Sequence, residues 1–204
     1  MSRYFQYFPL ITYSLDSNDL TANDIVQNIF RRIGFLDSLK SDARLFYPYT
    51  IMEGDTPEII AHKLYGDPHL YWIVTLFNDI LDPILEWPKT YSQFDQYIRD
   101  TYGSVATAQS TLHHYTKTIT KVNSQGFETS ETFVIDVDTY NALTSVVPES
   151  YTLTDGSTVT VTTTRAIVNV YEYEQAMNEA KRQIKLLKVD YVPLATKQLE
   201  SLSA

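Results

Sequence analysis

Residues 49–83 carry the clearest pattern of apolar and polar positions in the chain, and the pattern predicts a strand followed by two short helices. A β-branched and aromatic run at positions 49–51 favours the strand. The first helix is expected to begin at Pro57, because proline lacks the N–H that a first helical turn leaves unpaired. Either Asp55 or Thr56 can cap it. Apolar residues at helical spacing and a glycine stop complete it: Ile60, Leu64 and Gly66.

The second helix, predicted over about residues 69–79, is apolar on nearly all sides. Asp67 and Pro68 start it in the same way as the first. One apolar stripe comprises Leu70, Ile73, Val74 and Phe77, and a second comprises Tyr71, Trp72 and Leu76. A helix that is apolar all round is buried on both sides. The second face is therefore covered either by flanking segments of the same chain or by a permanent assembly.

Residues 1–48 are predicted to form an extended aromatic arm followed by one helix. The arm, residues 1–15, crowds large apolar side chains together: Tyr4, Phe5, Tyr7, Phe8, Ile11 and Tyr13. Such an arm is costly to leave in water, so it either packs on its own domain or docks on a neighbouring subunit. Apolar residues at helical spacing predict the helix over residues 24–33, which Gly34 ends.

Residues 84–103 are expected to complete the central domain, which we place at 49–103. The run 84–88 takes the place of a return strand, and Trp87 forms a packing corner there with Pro88. A helix follows over residues 91–102 and ends at a glycine.

Residues 104–170 change in character, because threonine and valine dominate and alternation replaces helical spacing. Two hairpins with a helical turn between them are predicted: strands 115–122 and 129–137, a turn at 138–142, and strands 151–154 and 159–164 joined by Asp155-Gly156. We interpret this segment as an inserted antiparallel β-rich subdomain.

Residues 171–204 return to helical spacing. One helix is predicted over residues 172–188 and another after Asp190, which can cap it. The chain is therefore predicted to be α+β, with a small βααβ core, flanking helices, an antiparallel β-rich insertion and C-terminal helices.

Composition narrows the classes of function. A length of 204 residues with 44% hydrophobic and 20% charged residues is ordinary for a globular protein. The net charge of −9 argues against nucleic acid as a partner. No segment approaches the ~20 apolar residues that cross a bilayer, so no membrane partner is expected. The start of the chain also lacks the apolar run of a secretory signal. The lack of cysteine excludes disulfides and thiol catalysis, and it fits assembly in a reducing cytosol.

Few residues of the chain are candidates for catalysis or metal binding. His113 and His114 are adjacent, but neighbouring strand residues point to opposite faces, so we do not expect them to share a metal. Glu53 with Asp55 or Glu58 could form a glycosidase pair, yet Asp55 and Glu58 are explained as helix-start residues. The chain contains no nucleophile elbow, phosphate-binding glycine loop or dinucleotide fingerprint. We therefore predict a non-enzyme with no catalytic residues, cofactor or metal.

The central block resembles a LysM module. It has an aromatic-Thr-Ile strand, Gly-Asp-Thr, a short helix ending near Tyr-Gly-Asp, a second helix, and then Asn and Asp-Pro. The resemblance implies a βααβ fold and, in many members, a groove for N-acetylglucosamine polymers. That groove lies between the first strand–helix loop and the return loop. Both loops depart from the sugar-binding form here, through Pro57 and Glu58 in the first and Trp87 in the second.

The order of segments across most of the chain resembles the LysM-containing baseplate wedge protein of contractile-tailed phages of the T-even type. The resemblance is carried by Ile-Thr-Tyr in the arm, Ile-Phe-Arg-Arg in the short helix, the run 64–74, and Lys-Arg-Gln-Ile-Lys-Leu-Leu near the C-terminus. It implies a structural subunit in the virion's tail baseplate, assembled in the host cytoplasm and present in about six copies per baseplate.

The same resemblance implies docking on other wedge proteins and on sheath-initiating or hub-proximal tail proteins, which helps to join wedges into a ring. The residues that we expect at such interfaces are Tyr4, Phe5, Tyr7, Phe8, Tyr71, Trp72, Leu76 and Trp87. The alternative is a peptidoglycan-binding LysM module of a tail or cell-wall protein.

Overall fold

The computed structural model describes residues 4–14, 23–28, 33–143, 148–154 and 156–203, and it confirms a mixed α+β chain. The α-helices are α1 (Asp37–Lys40), α2 (Pro57–Tyr65), α3 (Tyr71–Phe77), α4 (Pro83–Glu86), α5 (Tyr91–Tyr102), α6 (Val105–Ser110), α7 (Val137–Ala142), α8 (Val170–Ala180) and α9 (Val192–Ser203). The strands are β1 (Leu10–Ser14), β2 (Asn23–Gln27), β3 (Phe46–Thr50), β4 (Leu112–Asn123), β5 (Glu128–Ile135), β6 (Glu149–Thr152), β7 (Thr158–Asn169) and β8 (Gln183–Leu187). Short 3₁₀ helices lie at Tyr4–Tyr7, Pro68–Leu70 and Val189–Tyr191.

The chain folds as two compact units. The first unit combines residues 1–90 with residues 178–204, and the second unit comprises residues 91–177. In sequence, the second unit is thus inserted between the two parts of the first. None of the described helices is long and apolar enough to cross a membrane.

The predicted strand–helix–helix order of the central block is confirmed by β3, α2 and α3. Thr56 is the N-cap of α2, and its side chain accepts a hydrogen bond from the Ile59 N–H at 3.3 Å. Gly66 ends α2 with a φ of 77°, a left-handed conformation that glycine adopts without steric cost. Asp67 starts the next turn, because its carboxylate accepts from the His69 N–H at 2.8 Å.

The prediction of a return strand over residues 84–88 is wrong. Pro83 opens α4 instead, and the Asp82 side chain accepts hydrogen bonds from the N–H groups of Ile84 and Leu85 at 2.9 and 3.3 Å. A proline at the first helical position behind an aspartate cap favours a helical turn over a strand.

The strand that pairs with β3 comes from much later in the chain. β8 lies antiparallel to β3, with Tyr49 opposite Ile184. The single helix predicted over residues 172–188 is therefore wrong in its last part, since α8 ends at Ala180. Residues 183–187 fit alternation as well as helical spacing, and pairing with β3 decides between the two.

One edge of the β3–β8 sheet is protected by a proline. The Lys188 N–H bonds to the Leu45 carbonyl and the Ile51 N–H bonds to the Arg182 carbonyl, so the even-numbered residues of β3 point their backbone groups away from β8. Pro48 is the central one of these residues, and it has no N–H to offer an added strand.

Side chains complete the other edge, along β8. The Asn78 amide accepts from the Lys185 N–H and donates to the Lys185 carbonyl, both at 2.8 Å. The same amide nitrogen donates to the Val74 carbonyl at 2.8 Å. The Tyr65 hydroxyl donates to the Leu187 carbonyl at 3.1 Å. These two side chains thus take the place of a third strand.

Two apolar clusters form the core of the first unit, and α3 contributes to both. The first cluster comprises Ile51, Ile60, Ala61, Val74, Trp87, Ile184 and Leu186. The second comprises Trp72, Ile73, Phe77, Leu187, Val192, Ala195 and Leu199. Strand β8 also reaches both clusters, so it joins the central block to α9.

The helix predicted over residues 24–33 is wrong in its described part. β2 covers the beginning of that range and pairs antiparallel with β1, with Thr12 opposite Ile25 and Ile11 opposite Val26. Residues 29–32 lie outside the described residues. The adjacent β-branched residues Ile25 and Val26 favour a strand once a partner strand is available.

The second unit contains the predicted antiparallel sheet, in the order β5-β4-β7-β6. The β4–β5 hairpin is confirmed, and β7 extends well beyond the predicted strand. Asp155, predicted in the second turn, lies outside the described residues. Helix α7, in the place of the predicted helical turn, packs on one face through Tyr140, whose ring centroid lies 4.5 Å from that of Tyr115.

Hydroxyl groups from neighbouring strands pair on the other face of this sheet. Thr118 meets Thr132, and Thr120 meets Ser130, each at 2.9 Å between the side-chain oxygens. A separate apolar cluster in the same unit joins α5, α6 and α8 through Phe94, Ile98, Ala108 and Val170.

Candidate protein interface

Other parts of the first unit bury one apolar face of helix α3 fully and the second face at Trp72. Trp72, from the second predicted stripe, is 4% exposed and belongs to the same cluster as Val192 and Leu199 of α9. Of the two alternatives that the sequence leaves open, coverage by the same chain therefore applies to Trp72. Tyr71 and Leu76, from the same stripe, are only half-buried.

A cavity of about 410 Å³ lies beside Trp72. It is lined by Ile33, Gly34, Phe35, Leu36, Leu39, Trp72, Leu76, Ala195, Gln198, Leu199 and Ser201. The buried indole N–H of Trp72 has no hydrogen-bond partner among the described residues, which costs about 1–3 kcal/mol. The lining contains no carboxylate, histidine or cysteine, so it offers space for packing and no group for acid–base chemistry.

The N-terminal aromatic arm packs partly on the first unit. Tyr4 stacks on Trp72 with ring centroids 5.6 Å apart, and burial, with Tyr71 nearby, raises the pKa of Tyr4. Phe8 is buried at 4% exposure, whereas Phe5 is 46% exposed. The side chain of Tyr7 lies outside the described residues. Among the described side chains of this arm, Phe5 is thus the most accessible member of the predicted interface set.

Trp87 ties two loops of the first unit together. It belongs to the first apolar cluster, and its indole N–H donates to the backbone carbonyl of Asp55 at 2.8 Å. Asp55 lies between β3 and α2, and Trp87 follows α4. These are the two loops between which a LysM glycan groove is expected.

The Asp55 carboxylate is buried and fully engaged by the fold. It accepts hydrogen bonds from the Tyr49 hydroxyl at 2.8 Å, the Met52 N–H at 3.2 Å and the Lys63 ammonium group at 2.6 Å. Burial alone would raise the pKa of Asp55, but these donors, led by Lys63, hold the pKa below its ordinary value. Burial and the bond to Asp55 raise the pKa of Tyr49 to about 12. Glu53, the other member of the imagined glycosidase pair, forms an ion pair with Arg182 at 3.0 Å.

The β1–β2 hairpin, which we call the apolar ribbon, is a surface that the sequence interpretation missed. Directly opposed residues share a face, so Leu10 and Ile25 lie on one face and Tyr13 and Val26 on the other. Their exposed fractions are 65%, 71%, 51% and 36%. Within the described residues, neither strand pairs with any further strand. The signal that could have found the ribbon is the β-branched pair at positions 25 and 26.

The prediction that His113 and His114 point to opposite faces is wrong. Their Nδ1 atoms lie 2.7 Å apart, because a shift of register between Leu112 and His114 interrupts the alternation of β4. The ring of Tyr173 stacks on that of His113 at 3.8 Å. In the described part of the chain, no three histidine or carboxylate side chains converge on a metal-sized site.

Comparison with known proteins places this chain among tail proteins of bacteriophages. Residues 4–199 match the family described as Base plate wedge protein 53. The chain is also 29% identical over 111 residues to Baseplate wedge protein gp53 of Enterobacteria phage T4. That alignment covers 53% of this chain and 56% of the T4 protein, so it spans little more than half of either. Because the family match runs through nearly the whole sequence, the chain belongs to the base plate wedge protein 53 family and is a component of the virion's tail baseplate.

Proposed function

We propose that this chain is a structural subunit of a T4-type baseplate wedge, which docks neighbouring wedge proteins and helps to join wedges into the baseplate ring. The observation that carries the docking role is the apolar ribbon. It exposes large apolar side chains on both faces of a hairpin, and a two-stranded hairpin alone is marginally stable in water. Covering one such side chain contributes about 1.5–3 kcal/mol.

The partners in this proposal are other wedge proteins and sheath-initiating or hub-proximal tail proteins, with about six copies of this chain per baseplate. The T-even-type resemblance implies both. Phe5, Tyr71 and Leu76 are accessible enough to contact a partner directly. Tyr4 and Phe8 pack against Phe5, and Tyr4 also stacks on the buried Trp72. Trp87 is buried in the first apolar cluster.

The first unit acts, in this proposal, as a LysM-like block that binds protein. The order β3, α2, α3, together with β8 as the closing strand, supports a βααβ scaffold whose last strand comes from a distant segment. The hydrogen bond from Trp87 to Asp55 links the two loops that would otherwise flank a glycan groove. That link favours protein docking over peptidoglycan binding.

Co-expression tests the proposal. The chain is produced together with the neighbouring baseplate proteins of its phage, and complexes are isolated through a tag on this chain. Leu10→Asp and Ile25→Asp are expected to abolish co-purification while leaving the first unit folded, because both side chains are exposed. Ile25→Val, which keeps the face apolar, is the matched control and should co-purify as the wild type does.

A parallel sedimentation assay on purified peptidoglycan addresses the alternative. Saturable binding to peptidoglycan, with no stable complex among the co-expressed neighbours, would overturn the proposed role. Unchanged co-purification of both aspartate variants would instead remove the ribbon from the interface.

A further inference from the structure

Strand β5, at the edge of the sheet in the second unit, has a free row of backbone groups. Among the described residues it pairs with β4 and with no other strand. The Asn123 N–H bonds to the Phe127 carbonyl at 3.0 Å, and hydrogen-bonded pairs alternate along an antiparallel ladder. The odd-numbered residues of β5 therefore bond to β4. The residues whose N–H and C=O groups point away from the sheet are Glu128, Ser130, Thr132 and Val134.

The sequence of β5 does not block the addition of a strand at this edge. Its eight residues, Glu-Thr-Ser-Glu-Thr-Phe-Val-Ile, include no proline, lysine or glycine. Natural sheets usually blunt an exposed edge with such residues or with a covering element. The β3–β8 sheet of the same chain does so, through Pro48 on one edge and Asn78 on the other. The side chains at the end of β5 are also accessible, with Phe133 at 43% and Val134 at 71% exposure.

The charge on β5 itself is negative, whereas Lys117 and Lys121 lie on the neighbouring strand β4. Glu128 and Glu131 lie on β5 itself, and neither forms an ion pair with a described residue. The second unit as a whole carries ten acidic residues against four basic ones. Two copies of such an edge would repel each other, whereas lysine or arginine side chains on an incoming strand would be attracted.

We propose that β5 is a docking edge for an extended, basic segment of a neighbouring baseplate protein, which adds to the sheet as a strand alongside β5. Main-chain hydrogen bonds to the outward residues supply affinity, and Glu128 and Glu131 select for positive charge on the incoming segment. This inference rests on the proposed role as a docking subunit. It adds a second surface, separate in sequence from the apolar ribbon, and states the chemistry of its partner.

Substitutions at Thr132 test the backbone contribution. Thr132→Pro removes an outward N–H without touching a backbone hydrogen bond to β4. Thr132→Ala is the matched control, because it loses the same hydroxyl bond to Thr118 but keeps the N–H. The readout is the amount of each variant that enters baseplates during infection with a phage lacking its own copy of the gene. We expect Thr132→Pro to lower incorporation about tenfold or more and Thr132→Ala to leave it nearly unchanged.

Hydrogen–deuterium exchange of the wild-type chain gives a second test that does not depend on a variant folding. The peptide covering residues 128–135 is compared between the free chain and purified baseplates. We expect the amides of Ser130 and Thr132 to exchange at least tenfold more slowly in the baseplate. Replacement of Glu128 and Glu131 together by glutamine is expected to weaken incorporation and to reduce its dependence on salt.

The outcomes separate this inference from the proposed function. If the wild-type chain enters no baseplate complex, the proposed function fails. If the wild type enters baseplates, Thr132→Pro enters equally well and residues 128–135 stay unprotected, only the docking edge is refuted. Protection that appears in the purified chain alone and rises with its concentration would assign the edge to a second copy, which also refutes a basic partner segment.

Discussion

The substitution Asn78→Ala tests whether a side chain completes the β3–β8 sheet. It removes three hydrogen bonds of 2.8 Å, one with the Lys185 N–H, one with the Lys185 carbonyl and one with the Val74 carbonyl. Each such bond contributes about 0.5–1.5 kcal/mol net, and water reaches the exposed Lys185 groups in the variant. We therefore expect the free energy of unfolding of the first unit to fall by about 2 kcal/mol.

Tryptophan fluorescence during urea unfolding measures this loss of stability in the first unit specifically. The chain has two tryptophans, Trp72 and Trp87, and both belong to the first unit. Asn123→Ala is the matched control, because Asn123 also braces a backbone turn, through bonds to the Gln125 and Phe127 N–H groups, but does so in the second unit. It should leave the tryptophan transition unchanged.

The substitution Asn78→Asp removes the hydrogen-bond donor of this side chain and keeps its acceptor. The carboxylate can still accept from the Lys185 N–H, but it faces the carbonyls of Val74 and Lys185 without a proton to donate. We expect this variant to be at least as unstable as Asn78→Ala at pH 7 and to recover stability as the pH falls and the carboxyl group protonates. If Asn78→Ala unfolds within about 0.5 kcal/mol of the wild type, the amide does not complete the sheet edge and the reasoning is refuted.

Three further substitutions probe other contacts of the first unit. The pKa of Asp55 in the folded chain is held below the ordinary 3.8, so the ionised carboxylate stabilises the fold above that pH. The wild type should therefore be more stable than Asp55→Asn by a constant amount above about pH 5, and this difference should shrink as the pH falls below 3.8. Urea unfolding at each pH measures the difference. Tyr65→Phe removes only the hydroxyl that donates to the Leu187 carbonyl and should cost about 1 kcal/mol in the same assay; no loss would mean that water satisfies this carbonyl. Trp72→Ala should lower the free energy of unfolding by about 3–5 kcal/mol and should weaken co-purification only as far as it unfolds the chain. Thermal melting beside the pull-down would show this. A folded variant that fails to co-purify would make Trp72 a direct contact.

Sequence reasoning succeeded where a local rule fixes the backbone. Gly66 must adopt a left-handed conformation, and Asp67 followed by Pro68 can start only a short list of structures, so the ends of α2 and the start of the next turn were predictable. Sequence reasoning failed where a strand distant in sequence decides between helix and strand. Residues 183–187 satisfy helical spacing and strand alternation alike, and the presence of β3 selects the strand.

In the candidate interface too, residue type alone does not show which side chains are buried and which are exposed. Large aromatic residues such as Trp72 and Trp87 indicate burial but not what buries them, and here other parts of the first unit do so. The sequence does not reveal exposure either, because Leu10 and Ile25 are of the same residue types as the core. The free edge of β5 could be suspected from a strand without proline or lysine, but only the order of strands shows which side of it lacks a neighbour.

The late origin of β8 sets the order in which the chain can fold during synthesis. The ribosome completes the whole second unit before it makes the strand that pairs with β3, so the second unit can fold first. Until β8 emerges, the first apolar cluster lacks Ile184 and Leu186, and β3 has no partner strand. A chain whose translation stops early therefore lacks the closing strand of the first unit.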